Sequence, residues 1–554
     1  MSTGCSPTNK MKAHKTDSRP QLENLDVLPI IDRSLIDYDK YHRFIGHAGR
    51  TYQMAIQASR GCPYKCFYCD VYKTYKNHRR RSVQHLFNEV RLLADMGIKR
   101  IEFIDDIFNV SKKGFSAFFE LTIKHRLDIK FFFPTGLKGD ILDKAMIDLM
   151  VEAGVIGANL SLEHASSRLQ RVMRKNLDVE KFRDNLQYIT KTYPFFVLGL
   201  NAMHGFPTET EDEALMTLDF IKSIRWAHFP YLSNVRVFPG TELEQFALEQ
   251  GIPRAQIEQQ QDMSFHDISP TLPFSQEFTR NVRIQFLREY VLSKERLRHV
   301  LPYQMEHFTE DELSQKYNKY FPTRIKSLDD LLEFVNINRS ELGPETCLDE
   351  NRVRIPDLRT RIKKNFPSAE KKGDALRLIL VDLATYFSTS KDTREYSVLE
   401  PPLGLMALLS YVNREFGDRV EGKICKSRVD FDSYEELYNL INGFSPDIIG
   451  VSTLSFYRHF FHKAVDYIRK RGISTPIIAG GPYPTASYTE VLEDSNIDIV
   501  VIGEGEITLA DILKEILANN KHLPEGNVLK NIPGIAFRRS RQFAELEEES
   551  NWME

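Results

Sequence analysis

Cysteine is scarce, with 6 in 554 residues. The opening run Met-Ser-Thr-Gly-Cys-Ser-Pro-Thr-Asn-Lys is polar and has no signal-type apolar core. Together these point away from a disulfide-built secreted fold and toward a reducing, cytoplasmic setting. Long apolar runs are missing too: none approaches the roughly 18 residues a membrane span needs, so no membrane partner is expected. Charge of one sign is absent as well. The 74 basic and 77 acidic residues leave a net charge of −3, which gives no general pull toward phosphate backbones. Nucleic acid is therefore not an expected partner. There is no tandem repeat. What is present, 42% hydrophobic and 27% charged residues, is ordinary for a globular chain, and the length admits two to four domains.

Three of the few cysteines fall on one stretch, Arg60-Gly-Cys62-Pro-Tyr-Lys-Cys66-Phe-Tyr68-Cys69. Spaced x3 then x2, Cys62, Cys66 and Cys69 can wrap one corner of a cubic iron–sulfur cluster. Four thiolates normally hold such a cluster, so three with no obvious fourth leave one iron open to a ligand from outside the protein. A zinc site would want four N/S ligands from paired knuckles, and no second Cys/His pair lies near. Cys5 reads as a solvated thiol. With Tyr68 before the last cysteine, the motif resembles the radical S-adenosylmethionine (SAM) superfamily. The resemblance implies a [4Fe-4S] cluster whose open iron is chelated by the amino and carboxylate groups of SAM. It further implies that an electron, from an external flavodoxin- or ferredoxin-type donor, splits the sulfonium into methionine and a 5′-deoxyadenosyl radical.

Residues 1–21, rich in Ser, Thr, Lys and Pro, read as a disordered leader, and 22–51 as an ordered lead-in segment. Over 52–251, β-rich runs alternate with amphipathic ones. Strands are expected at 54–58, 100–104, 130–133, 157–162, 195–201 and 232–237, with helices between them. That alternation argues for parallel βαβ units and fits the superfamily's partial (β/α)6 barrel, with the cysteine loop after the first strand. Residues 252–345 read as a helical subdomain covering the barrel mouth, with helices at 278–298, 310–317 and 328–335. Residues 346–374 read as a charged, irregular linker. A second α/β unit is expected over 375–537, with strands at 376–382, 420–423, 448–452, 476–479 and 499–502, followed by a tail at 538–554. Its alternation is that of a doubly wound, flavodoxin-like sheet, whose ligand sits past the carboxyl ends of the strands.

In the barrel, Phe103-Ile-Asp105-Asp106-Ile-Phe108 ends a strand with two carboxylates. The family often uses strand-end polar groups there to hold the SAM amino group; a helix N-cap beside a solvated acid is the other reading. Glu163, in Leu160-Ser-Leu-Glu163-His164, resembles the strand-end glutamate that contacts SAM in related enzymes. His164 departs from the small residue usual at its position, and a lone histidine is more often structural. Gly205-Phe-Pro207-Thr-Glu-Thr-Glu211 resembles the Gly-x-Pro-x-Glu-Thr turn near the adenosine. Arg236, with Phe238-Pro239-Gly240-Thr241, resembles the segment closing the sixth strand. The basic run His78-Arg-Arg-Arg81 reads as a solvated face or a phosphate site.

The C-terminal unit resembles cobalamin-binding domains. Pro402 and Gly404 in Glu400-Pro-Pro402-Leu-Gly404 match their entry to the first helix. Ser452 and Leu454, Gly480 and Gly481, and Gly503, Gly505 and Glu506 all follow strands. Glycine there lets the backbone approach a large ring without a Cβ clash. The Asp-x-His-x-x-Gly motif that supplies a lower cobalt ligand in some cobalamin domains is replaced by Val381-Asp-Leu-Ala-Thr-Tyr-Phe387. The lower face is then open, or filled by Tyr457, Arg458 or His459. The resemblance as a whole is to the cobalamin-dependent radical SAM enzymes, class B methyltransferase-like, with the domain order swapped as in a circular permutation. It implies an α/β protein in which a partial (β/α)6 barrel, a helical subdomain and a flavodoxin-like cobalamin domain follow one another. Permutation also places residues about 535–554 near residues about 22–45. The implied activity is methylation of an unactivated carbon of a small-molecule substrate; the alternative is a rearrangement, ring contraction or cyclisation without methyl transfer.

Overall fold

The structure, a computed structural model, describes residues 13–538 except 239, 261–262, 264–266, 322–323, 344–345, 369 and 390–397. Most of the expected leader (1–12), Cys5, Pro239 and most of the tail (539–554) lie outside the described residues. Two compact units emerge. One contains Glu23–Pro367 together with residues 389 and 398–403; the other contains residues 13–22, 368, 370–388 and 404–538.

The first unit is built on six parallel strands in sequential order: β1 (Met54–Ile56), β2 (Arg100–Phe103), β3 (Lys130–Phe133), β4 (Val155–Glu163), β5 (Val197–His204) and β6 (Phe229–Asn234). Strands covered on both faces should be apolar throughout, and β3 shows why. Phe131 and Phe133 pack with Phe103, Phe108 and Phe118, the Phe103 and Phe133 rings stacking at 4.7 Å. Phe132 points the other way, under the guanidinium of Arg50. The helix Lys112–His125 supplies Phe115, Phe118 and Phe119 to this cluster and is capped by Ser111, whose side chain accepts the Gly114 N–H.

The expected helical subdomain divides between the two ends of the barrel. Its first part packs at the carboxyl ends of the strands, with Ile257 in the apolar cluster around Phe67, Gln260 donating to Val237 O (2.7 Å) and Leu272 beside Gly205. Its later helices seal the opposite end, where the strands begin. The Glu312 carboxylate accepts Thr51 N–H just before β1 (2.7 Å) and pairs with Arg100, the first residue of β2 (2.5 Å). Arg296 and Gln304 donate to the carbonyl of His228, just before β6, and Phe229 meets Phe308 and Tyr317. The pattern of amphipathic helices gave no sign of which end they would cap. The helix expected over 278–298 is three pieces: Gln276–Gln285, a π-helical turn Phe286–Val291, and Lys294–His307. The expected linker is also partly folded, since Leu358–Asn365 is a helix with Leu358 and Ile362 buried. The basic run is not a solvated face. Arg81 pairs with the buried Glu89, Arg80 donates to Phe108 O, and Arg79 is buried.

The second unit holds β7 (Leu376–Asp382), β8 (Val420–Lys426), β9 (Ile448–Ser452), β10 (Ile477–Gly480), β11 (Ile499–Val501) and β12 (Ile535–Arg538). The five parallel strands lie in the order β8-β7-β9-β10-β11, a flavodoxin-like 2-1-3-4-5 sheet. β12 adds antiparallel, and Ala13–Lys15 pairs antiparallel outside it. Ala13–Lys15, expected in a disordered leader, thus forms an edge strand, and Thr16 just after it donates its N–H to Ile535 O at 3.0 Å. The partner of the chain's C-terminal strand lies several residues before the expected 22–45. Among the described residues, no helix is long and apolar enough to cross a membrane.

Glu312 is buried, and it accepts Thr51 and Arg100 together with its own cap, Thr309 N–H. Glu312→Ala leaves Arg100 buried without its countercharge and should lower unfolding free energy by about 3–5 kcal/mol in urea titrations. A change below about 1 kcal/mol would show that the barrel floor does not depend on this ion pair.

Candidate active site

The cysteine loop follows a short antiparallel ribbon, Ser59–Arg60 with Arg79–Arg80, and its backbone is held from several sides. Phe67 N–H donates to Met173 O (3.1 Å), and Leu243 N–H donates to Phe67 O (3.0 Å). The Phe67 ring is buried among Phe206, Met173, Val235 and Leu243, stacking on Phe206 at 6.1 Å. The result is that Cys62, Cys66 and Cys69 are free, half-buried thiols on a fixed loop. Burial raises all three thiols, Cys69 to about 12, so the loop does not ionise them on its own. A bound metal would do so, since a coordinating thiol loses its proton. Among the described residues, no three His, Cys, Asp or Glu side chains converge on a single ion. Three thiols on one held loop would suit an iron–sulfur cluster, whose irons are held by cysteine thiolates.

Asp105 and Asp106, at the end of β2, brace this loop. Asp105 is fully buried and accepts Ala58 N–H (3.1 Å) and the Ser59 hydroxyl. Burial outweighs those bonds and lifts its carboxyl to about 6. Asp106 accepts Gly61 N–H at 2.9 Å, directly before Cys62, and burial raises it as well. Both oxygens of Asp105 are thus engaged with the protein backbone and a hydroxyl.

Glu163 ends β4 at a register shift, with a left-handed φ of 62° that is unusual for a side chain of its kind. Its carboxylate pairs with Lys175 Nζ at 2.8 Å. Burial works against the charge on Lys175, but Glu163 and the nearby Cys66 outweigh it and hold the amine above its ordinary range. Lys175 lies on an irregular stretch between two helices, and no motif pointed to it. Tyr68 packs against Phe206 (6.2 Å); burial, then Glu163 and Cys66, keep its phenol protonated. The Glu163, Lys175, Tyr68 and cysteine side chains therefore form one group at the carboxyl ends of the strands, where barrel enzymes build their active sites.

His164, the departure from the family pattern, has a structural partner. Its Nδ1 accepts Ser166 N–H (3.0 Å), so the proton is on Nε2, which donates to Glu209 Oε1 (2.9 Å). The other oxygen of Glu209 accepts Gly205 N–H and Phe206 N–H. His164 and Glu209 thus tie the end of β4 to the turn after β5. Gly205 in that turn has φ +95°, and a Cβ there would lie 2.0 Å from Leu272. Pro207 is half-buried in the same turn and Arg236 is buried past the end of β6.

In the second unit, Ser452 and Leu454, Gly480 and Gly481, and Gly503, Gly505 and Glu506 gather at the carboxyl ends of β9, β10 and β11. Gly481 (φ +96°) must be glycine, since a Cβ would lie 2.7 Å from Ser452 Oγ. Leu454 is 43% exposed, whereas Glu506 is buried. At the switch point of the sheet, Asp382 and Ser452 are register partners. Asp382 gives one oxygen to Ala384 N–H and the other to buried Lys426 (2.7 Å), so the motif's Asp position is held in an ion pair while the place of the absent histidine is taken by Ala384. Tyr457 is buried among Tyr386 and Phe456, Arg458 pairs with Glu490, and His459 is exposed. Gly404 opens the helix Leu403–Phe416 of this unit, but Pro402 sorts with the barrel unit, where Glu400 accepts His47 N–H and Gln53 Nε2. The left-handed glycine and the open strand ends fit a large planar ligand lying against the backbone.

Comparison with known proteins agrees with both units. Residues 56–221 match the radical SAM superfamily and residues 393–513 match the B12 binding domain. The chain thus carries a radical SAM domain followed by a B12-binding domain, and these domains call for a [4Fe-4S] cluster, SAM and cobalamin. An uncharacterised methyltransferase of Pyrococcus horikoshii is 29% identical over 250 residues, 44% of this chain and 52% of that protein. A tRNA-2-methylthio-N(6)-dimethylallyladenosine synthase of Aquifex aeolicus is 25% identical over 39% of this chain and 50% of that protein. The chain spans about half the length of these curated relatives. Among solved structures, the radical SAM methyltransferase TsrM of Kitasatospora setae aligns over 39% of this chain and 41% of that one, at 20% identity and a TM-score of 0.35.

Because Asp105 titrates higher in the fold, near 6, than in the open chain, it stabilises the protonated fold. Its contribution is complete below about pH 4 and is lost as pH rises through about 6. The difference in unfolding free energy between wild type and Asp105→Asn should therefore change between these values and be level above about pH 7. A difference that stays constant down to pH 4 would contradict the burial of this carboxyl.

Proposed function

We propose that this enzyme transfers a methyl group from SAM to an unactivated carbon of a small molecule. One observation carries the reading: Ala384 stands two residues after Asp382, where the motif would put its histidine, and Asp382 itself is tied to Ala384 N–H and Lys426, so this strand end offers no nitrogen to the lower cobalt face. A weakly held lower face suits methyl transfer, and the name methyltransferase borne by the Pyrococcus relative points the same way. When bound, the cluster with SAM would supply a hydrogen-abstracting radical, and cobalamin a methyl carrier.

The chain's own residues then have distinct tasks. Cys62, Cys66 and Cys69 hold the cluster and leave one iron for SAM. Asp106 fixes the loop at Gly61, while Asp105 fixes the strand that feeds it. Glu163 and Lys175 offer paired charges of both signs beside the cysteines, suited to the amino and carboxylate groups of SAM. The Gly205–Pro207 turn, held by Glu209, lies where the adenosine is expected. In the second unit, Gly481 and its neighbours at the strand ends would receive the corrin ring. A reductant of the flavodoxin or ferredoxin type and a cytoplasmic setting belong to the same proposal.

Anaerobic turnover with cobalamin, reductant and CD3-labelled SAM should yield labelled product, S-adenosylhomocysteine and deoxyadenosine together. Cys66→Ala should abolish deoxyadenosine formation. Deoxyadenosine without labelled product or S-adenosylhomocysteine would replace methyl transfer with a radical rearrangement.

A further inference from the structure

The inward face of the barrel is polar where most such faces are apolar. A Cβ on Gly139 would meet Phe182, from the helix Val179–Thr192, at 2.4 Å and Leu160 at 3.5 Å, so Leu160 lies on the side of the outer helices and Ser161, next along the strand, faces the lumen. Ser161, Asn201 and Tyr231 are register partners on β4, β5 and β6, and Asn201 Nδ2 donates to Ser161 Oγ at 3.3 Å. All three keep some accessible surface while their sequence neighbours are buried. They therefore line an internal space one layer above the floor formed by Phe229 and Phe308.

Into this layer reaches Lys319, from the end of the helix that caps the floor. Its Nζ lies 3.4 Å from the centre of the Tyr231 ring and 5.4 Å from that of Tyr320. It is surrounded by protein yet partly accessible, as a side chain facing a cavity would be. Among the described residues it has no hydrogen-bond or carboxylate partner. The charged groups that act on it are Lys316 and Arg283, both cationic, and the rings packed on it are the phenols Tyr231 and Tyr320. Lys316 likewise lacks an ion-pair partner among the described residues and sits over Phe229 at 4.3 Å. The buried arginines of this floor do have a mate or a ring sandwich: Arg100 with Glu312, and Arg50 between Phe132 and Phe308. An amine in a cavity with only cations about it lacks a countercharge.

We propose that Lys319 anchors the substrate by binding an anionic group, a carboxylate or phosphate, at the closed end of the barrel lumen. Ser161, Asn201 and Tyr231 surround the anchored end. Glu163 is two residues further along β4, about 7 Å at strand spacing, so the anchored molecule reaches from Lys319 toward the cysteine end. This rests on the methyl-transfer reading and names the class of substrate it takes.

In the empty site, burial, then Lys316 and Arg283, hold the Lys319 amine well below its ordinary range. An arriving anion restores the charge, so binding takes up a proton and weakens as pH rises. The full-length reconstituted protein is titrated calorimetrically with phenylacetate and phenyl phosphate, and with methyl phenylacetate and phenol as neutral counterparts, in two buffers of different ionisation heat. The anions should bind about tenfold or more tighter than their counterparts, the scale of one charge-assisted hydrogen bond, with proton uptake. Lys319→Met and Lys319→Gln should both erase that preference, and Lys319→Arg should keep the preference but lose the proton uptake. Equal binding of anions and neutral probes, or an anion preference that survives in Met and Gln variants of normal circular dichroism, would overturn the inference. Iron, corrinoid and deoxyadenosine are assayed in the same samples. Normal values there with no anion preference remove Lys319's role alone, whereas loss of iron or deoxyadenosine in wild type strikes the methyl-transfer reading first.

Discussion

A short loop can offer three sulfurs to one cluster only if something other than the cluster holds its backbone. Here the holding is done by main-chain bonds to Met173 and Leu243, by the Phe67 ring driven into an apolar cluster, and by two aspartates reaching back from the next strand. Each tether comes from a different βα unit of the barrel, so the loop's shape is a property of the whole first unit. The buried thiols stay protonated until metal arrives, which makes cluster assembly, proton release and loop order parts of one event.

The two ends of the barrel divide the work. At the carboxyl ends of the strands, charge is paired and accessible, with Glu163 facing Lys175 beside the cysteines. At the amino ends, charge is buried and sealed by aromatic rings, and the helical subdomain is bolted there through Glu312, Arg296 and Gln304. A plug of that kind closes the amino end of the barrel, and Lys319 lies over Tyr231 just above it.

Much of this was readable from the chain. The strands Lys130–Phe133, Leu376–Asp382 and Ile448–Ser452 were found to the residue. The cysteine loop announced itself by spacing. What could not be read was contact at long separation. Lys175 meets Glu163, and Glu209 meets His164, across turns that carry no periodicity. The ends of the barrel look alike in sequence, so the later helices of the helical subdomain, from Gln276 on, were expected over the wrong one. The strand Ala13–Lys15 lies in a stretch too polar to announce itself and is ordered by pairing with Ile535–Arg538, more than 500 residues away.

The account stands on three thiolates that leave one iron of a cubane free for SAM. Mössbauer spectroscopy of protein reconstituted with 57Fe tests this most directly, before and after SAM is added. Four irons per chain, one of which changes its isomer shift when SAM binds, is the expected result. Spectra indifferent to SAM, or a protein that retains no cluster iron, would contradict it.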